Sequence, residues 1–147
     1  MLDRFSLASI CIVPYAYARP LGVATAFVVE HAGINLLITN FHVVSGRNPD
    51  TRRLLPEVPV QPDRLLIAVL ANGAKSLTWI PHVQLLLDGH AESWIEHPTL
   101  GPSFDVVALP LAKPENGLLF PYSREAGASL AIHMASQVVI IGFPHGI

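Results

Sequence analysis

Apolar residues in this chain fall in short runs, each cut by glycine, proline or asparagine before it reaches helical length. Residues 6–13, 24–29, 35–39, 64–70, 77–80, 82–87, 91–96 and 106–111 are rich in β-branched and aromatic side chains, and each has the length of a strand. Gly33 and the Asn72-Gly73 pair stand between two pairs of runs, where hairpin turns need residues that tolerate positive φ. No window sustains a 3.6-residue apolar period. The pattern therefore predicts an all-β chain, a barrel or sandwich with little helix.

Two stretches break the rhythm. Residues 46–63 carry Pro49, Pro56, Pro59 and Pro62 together with Arg47, Arg52 and Arg53, which predicts a surface loop between strands. Residues 113–128 hold Pro114, Asn116-Gly117, Pro121 and Gly127, and the stretch 113–136 reads as a connector. Beyond it, residues 137–143 (QVVIIGF) form a last strand of high β propensity. There is no internal repeat and no low-complexity segment.

The 147 residues are enough for one substantial core. Half are apolar (51%) and 14% are charged, a balance that implies either a very complete interior or a surface awaiting a partner, self-association included. Net charge is −2, and the nine Lys and Arg form no stripe, which argues against nucleic acid as a partner. Apolar runs fall short of the roughly 18 residues of a spanning helix, so no membrane span is expected. Cys11 stands alone, which excludes an intrachain disulfide and a multi-thiolate zinc site. At the N-terminus, Arg4 ahead of an apolar run and Ala16-Tyr17-Ala18 have the layout of a secretory leader. Asp3 and Pro14 work against that layout and the same residues fit a first strand, which tips the balance toward a cytoplasmic chain.

Chemistry concentrates in two motifs. Thr39-Asn40-Phe41-His42-Val43-Val44 follows an apolar strand, and Phe104-Asp105-Val106-Val107 opens another. Singly, each has an ordinary reading, a structural histidine and a turn aspartate. Together, GVATAFVV, LLITNFHVV and FDVVALPL resemble, in order, the first half of the trypsin-like (chymotrypsin-fold) serine peptidases of bacterial type. The resemblance spans residues 21–111 and extends to residues 138–144, similar to the first strand of that family's second barrel. It implies a chymotrypsin-like antiparallel β-barrel over residues 1–112, an interdomain connector over 113–136 and the start of a truncated second barrel over 137–147. It also implies that His42 is the general base, that Asp105 orients it, and that a peptide or protein is the substrate, with no cofactor or metal. The order His then Asp is that of the family, whose serine comes last.

No serine of the sequence lies in a glycine-flanked Gly-x-Ser-Gly turn; Ser45-Gly46 and Gly101-Pro102-Ser103 come nearest. The expectation is a chain that carries two members of a triad and is inactive alone. Two rivals stay open. One is a degenerate, non-catalytic barrel that serves as a binding module, with His42 and Asp105 too far apart to bond. The other is a metal site built from His82, His90, Glu92 and His97, whose spacing fits no common ligand pattern.

Overall fold

The computed structural model of the chain describes residues 4–122 and 141–143, and these form an all-β structure with two short helices and one 3-10 turn. A short helix, α1 (Arg4–Ala8), leads into β1 (Ser9–Ala16) and then the two-residue β2 (Arg19–Pro20). β3 (Ala24–His31) and β4 (Ile34–Thr39) follow, and β4 runs into the helical turn α2 (Phe41–Ser45). After residues 46–63 come β5 (Arg64–Ala71), β6 (Trp79–Leu85), a small ladder of β7 (Leu87–Asp88) and β8 (Ala91–Glu92), and β9 (Ile95–Glu96). The 3-10 turn Pro102–Phe104, β10 (Val107–Pro110) and β11 (Gly117–Leu118) complete the order.

One sheet holds nine of these strands in the order β11-β5-β1-β3-β4-β10-β9, with β2 beside β1 and β6 beside β5. Every ladder is antiparallel. Both predicted hairpins form. β3 and β4 turn through Ala32 and Gly33, both at positive φ, as a two-residue turn that follows strand twist requires. β5 and β6 are joined beyond Asn72-Gly73, where Gly73 has φ 71°. The sheet is not a closed barrel: among the described residues no ladder joins β6 at one end to β9 at the other. Their link is covalent, through residues 86–94, and it is plugged into the core by Leu86 and Trp94.

Period-two alternation sets the core. Ile10 and Ile12 of β1, Ala26 and Val28 of β3, Leu37 of β4, Leu65, Ile67 and Val69 of β5, and Val107 and Leu109 of β10 face inward, sealed by Phe41 and Val44 of α2. Burial of each large side chain contributes roughly 1.5–3 kcal/mol. On β6 the other phase points outward, so Trp79, Val83 and Leu85 are exposed.

Several boundaries differ from the sequence pattern. The first strand begins at Ser9 because residues 4–8 coil into α1. Since β1 lies between β3 and β5 and fills the core, removing residues 1–18 would cut out a central strand. The runs at 77–80 and 82–87 are one strand, β6, in which Pro81 is tolerated because β6 lies at the edge of its ladder with β5. The run at 91–96 is split between β8 and β9 by the inward turn at Trp94. Within the predicted connector, β11 adds an edge to β5, and Tyr122 bridges to Val29. Residues 123–140 lie outside the described residues, so most of the predicted last strand does too; residues 141–143 carry no strand, and the Phe143 N–H donates to Thr25 Oγ1 at 2.7 Å.

Two measurements test this core. Leu37 is fully buried, and Leu37→Ala is expected to lower unfolding free energy by about 2–5 kcal/mol in urea titrations. His82, opposite Ile67 in the β5–β6 ladder, has its Nε2 buried with no hydrogen-bond partner among the described residues, and burial pushes its pKa below the ordinary 6.5. A depressed histidine keeps the fold at full stability above about pH 6.5; stability falls as the unfolded chain takes up the proton that the fold refuses. His82→Phe should flatten the stability profile below that pH, and an unchanged acid slope would count against the assignment.

Candidate functional site

The site grows from one strand pair. β4 and β10 are antiparallel with Thr39 opposite Val107, so extending that register by two places sets Asp105 opposite residue 41, beside His42. The motifs sit 63 residues apart in the chain, and the ladder brings them to one end of the sheet.

Local geometry then aims the side chains. At the end of β4, the Thr39 hydroxyl donates to the Thr25 carbonyl at 3.1 Å, and Asn40 keeps an extended backbone (φ −80°, ψ 146°) before α2 begins. Gly46 closes α2 in the left-handed region (φ 65°), its N–H bonded to the His42 carbonyl at 3.0 Å. Phe41 and Val44 anchor the helix in the core, which leaves the His42 side chain 42% exposed on the opposite side. Across from it, the 3-10 turn delivers Asp105 in the left-handed region as well (φ 46°, ψ 33°), with its N–H on the Pro102 carbonyl at 2.7 Å.

Asp105 meets His42 at both the ring and the main chain. Its Oδ2 lies 2.8 Å and its Oδ1 3.1 Å from His42 Nδ1, and Oδ1 also accepts the His42 backbone N–H at 3.1 Å. Because a carboxylate only accepts, the bonding assigns the proton of neutral His42 to Nδ1 and the lone pair to Nε2. Nε2 makes no hydrogen bond among the described residues. Asn40 Nδ2 donates to the Asp105 carbonyl at 2.9 Å and reaches Oδ2 at 3.3 Å. Chemically this is an imidazole held in one tautomer with its basic nitrogen free, the arrangement of a general base with its orienting group.

The flank of the site comes from residues 46–63. Asn48 Oδ1 accepts the N–H groups of Asp50 and Thr51, which folds the loop back on itself. Arg52 then reaches both carboxylate oxygens of Glu96 on β9 at 3.3 Å, with its guanidinium 5.2 Å from the Phe41 ring centroid. His42 also lines a cavity of about 170 Å³ whose other walls include Leu21, Val23, Val43, Leu55 and Val58, an apolar recess beside the imidazole.

Other sequence candidates go elsewhere. The Ser45 hydroxyl is fully buried, donating to the Phe41 carbonyl at 2.8 Å and accepting the Arg47 N–H at 3.1 Å, so it serves as a strut of α2. His97 Nδ1 accepts the N–H groups of Thr99 and Leu100, a turn-making role. His82, His90, Glu92 and His97 do not converge, and among the described residues no three His, Cys, Asp or Glu gather as a metal site. Cys11 is buried, which raises its thiol pKa.

Sequence reasoning missed α2, because FHVVS reads as a continued apolar run; Gly46 following it, in the position of a helix stop, was the available signal. It also left Asn40 without a role. A scan of protein-family models, a search of curated proteins and a search of solved structures each found no match.

Gly46 provides the test of this scaffold. A Cβ there would lie 2.8 Å from the Val60 carbonyl oxygen, on a residue already at positive φ. Gly46→Ala is expected to lose at least about 1–2 kcal/mol of stability in urea titrations and to shift the His42 imidazole resonances, since α2 would end differently.

Proposed function

We propose that this chain carries the histidine and aspartate of a trypsin-like serine endopeptidase, with residues 1–112 as a chymotrypsin-like first domain built on an open sheet. In this reading, 113–136 connect to a second barrel that 137–147 begin. The observation that carries it is the 2.8 Å contact between His42 Nδ1 and Asp105 Oδ2, with Oδ1 gripped by the backbone of the same histidine. A barrel that only binds has no need of a carboxylate holding an imidazole by both its ring and its main chain. The all-β antiparallel fold and the order of the two residues along the chain support the same reading.

The chemistry follows from the geometry. A serine hydroxyl is a poor nucleophile until an imidazole takes its proton; Nε2 is the atom placed to do so, and the Asp105 carboxylate stabilises the resulting imidazolium through Nδ1–H. The same Nε2 proton then goes to the departing amine. The Gly-x-Ser-Gly turn that would supply the nucleophile does not occur in the sequence, and Ser45 is committed to its helix. The exposed Trp79, Val83 and Leu85 fit a surface that a partner or a second copy covers.

The purified polypeptide is expected to leave peptides intact and to take up no serine-directed fluorophosphonate, while its imidazole still hydrolyses an activated ester such as p-nitrophenyl acetate. His42→Ala should reduce the ester rate to the background of the other histidines, and Asp105→Asn should reduce it partly. Equal ester rates in all three proteins would sink the base assignment. Cleavage of peptides blocked by the fluorophosphonate would overturn the missing nucleophile.

A further inference from the structure

Asparagine is among the best helix N-cap residues, because its side-chain oxygen satisfies a free N–H of the first turn. Asn40 occupies the N-cap position of α2 with the extended backbone that capping needs, yet its side chain makes no capping bond. Its amide turns across the strand pair to Asp105, meeting the carbonyl at 2.9 Å and Oδ2 at 3.3 Å. Both targets are acceptors, so the atom facing them is the nitrogen; the oxygen there would be repelled twice.

Those two contacts constrain different freedoms of one residue. The bond to the carbonyl fixes the peptide plane that follows Asp105, which stands at φ 46°, a region L-residues enter reluctantly. The contact with Oδ2 fixes the carboxylate rotation, and Oδ2 is the oxygen 2.8 Å from His42 Nδ1. Oδ1 accepts the His42 N–H and also lies 3.1 Å from Nδ1. Without the Asn40 amide, a carboxylate 30% exposed on a left-handed turn would be oriented by His42 alone, the residue it is meant to orient.

We infer that Asn40 is a positioning residue: it sets the Asp105 carboxylate against Nδ1 and thereby holds His42 in the tautomer with Nε2 free. The role rests on the proposed function in one respect, that the tautomer matters because Nε2 is the working base. A merely structural N-cap and a positioning residue differ in what they tolerate. Aspartate caps as well as asparagine, so a cap role predicts that Asn40→Asp behaves like the parent chain. A positioning role predicts the reverse, since a carboxylate at residue 40 would face two acceptors.

The test is ¹H–¹⁵N spectroscopy of the His42 imidazole in the full chain at mildly alkaline pH, for the parent, Asn40→Ala and Asn40→Asp. The parent should show a protonated Nδ1 exchanging slowly with water. In Asn40→Ala that proton is expected to exchange roughly tenfold faster and the ring to move toward the Nε2–H tautomer, with core amide resonances unchanged. Asn40→Asp should lose the Nδ1–H signal more completely. Retention of the parental signature in Asn40→Ala, or its retention in Asn40→Asp alone, would overturn the inference; should Asn40→Asp not fold, the alanine variant decides by itself. The readout needs neither nucleophile nor substrate, so its failure is separable from failure of the ester and peptide measurements.

Discussion

The antiparallel register between β4 and β10 is the constraint on which the site depends. With Thr39 opposite Val107, the residues just past the end of one strand and just before the start of the other share a few ångströms of space. A slip of β10 by one residue would turn Val107 and Leu109 out of the core and carry Asp105 away from His42. The burial that stabilises the sheet therefore also selects the geometry of the pair. Neither residue needs to contribute much to stability, because the core on either side holds their backbones.

What the register does not supply is local. His42 faces Asp105 because the chain leaves β4 through a single helical turn, pinned inside by Phe41 and Val44 and stopped by a left-handed Gly46. Asp105 faces back because a 3-10 turn ends on it in the left-handed region, where aspartate is better tolerated than most residues. The Arg52–Glu96 pair ties the long loop to β9, but both groups are near the surface, and such pairs contribute only about 0–1 kcal/mol. Its use is to keep residues 46–63 against α2, where Leu55 and Val58 wall the cavity next to His42.

The site is half-open, since the imidazole projects from a helix whose inner face alone is buried, and its basic nitrogen meets no group among the described residues. An orienting carboxylate with a free Nε2 on the far side of the ring is an arrangement that waits for a proton donor. The apolar row on β6 is likewise uncovered, as its outward phase (Trp79, Pro81, Val83, Leu85) is more apolar than its inward one (Ile80, His82, Gln84). Both features direct attention to what packs against this domain.

Much of the fold was legible in the chain because strand-length apolar runs and hairpin turns demand particular residues: the runs at 6–13, 24–29, 35–39 and 64–70 and the turns at Gly33 and Asn72-Gly73 follow from nearest-neighbour stereochemistry. His42 and Asp105 stood out by the strands flanking them, not by any local property of their own. Tertiary structure decided the rest. Whether 77–80 and 82–87 are one strand, whether Trp94 turns in, and whether FHVVS coils or extends depend on neighbours distant in sequence, which override short-range preference. Asn40 shows the limit most clearly, because its sequence position is that of a cap, and only the strand pairing that brings Asp105 within 2.9 Å gives its amide a better partner than the helix it precedes.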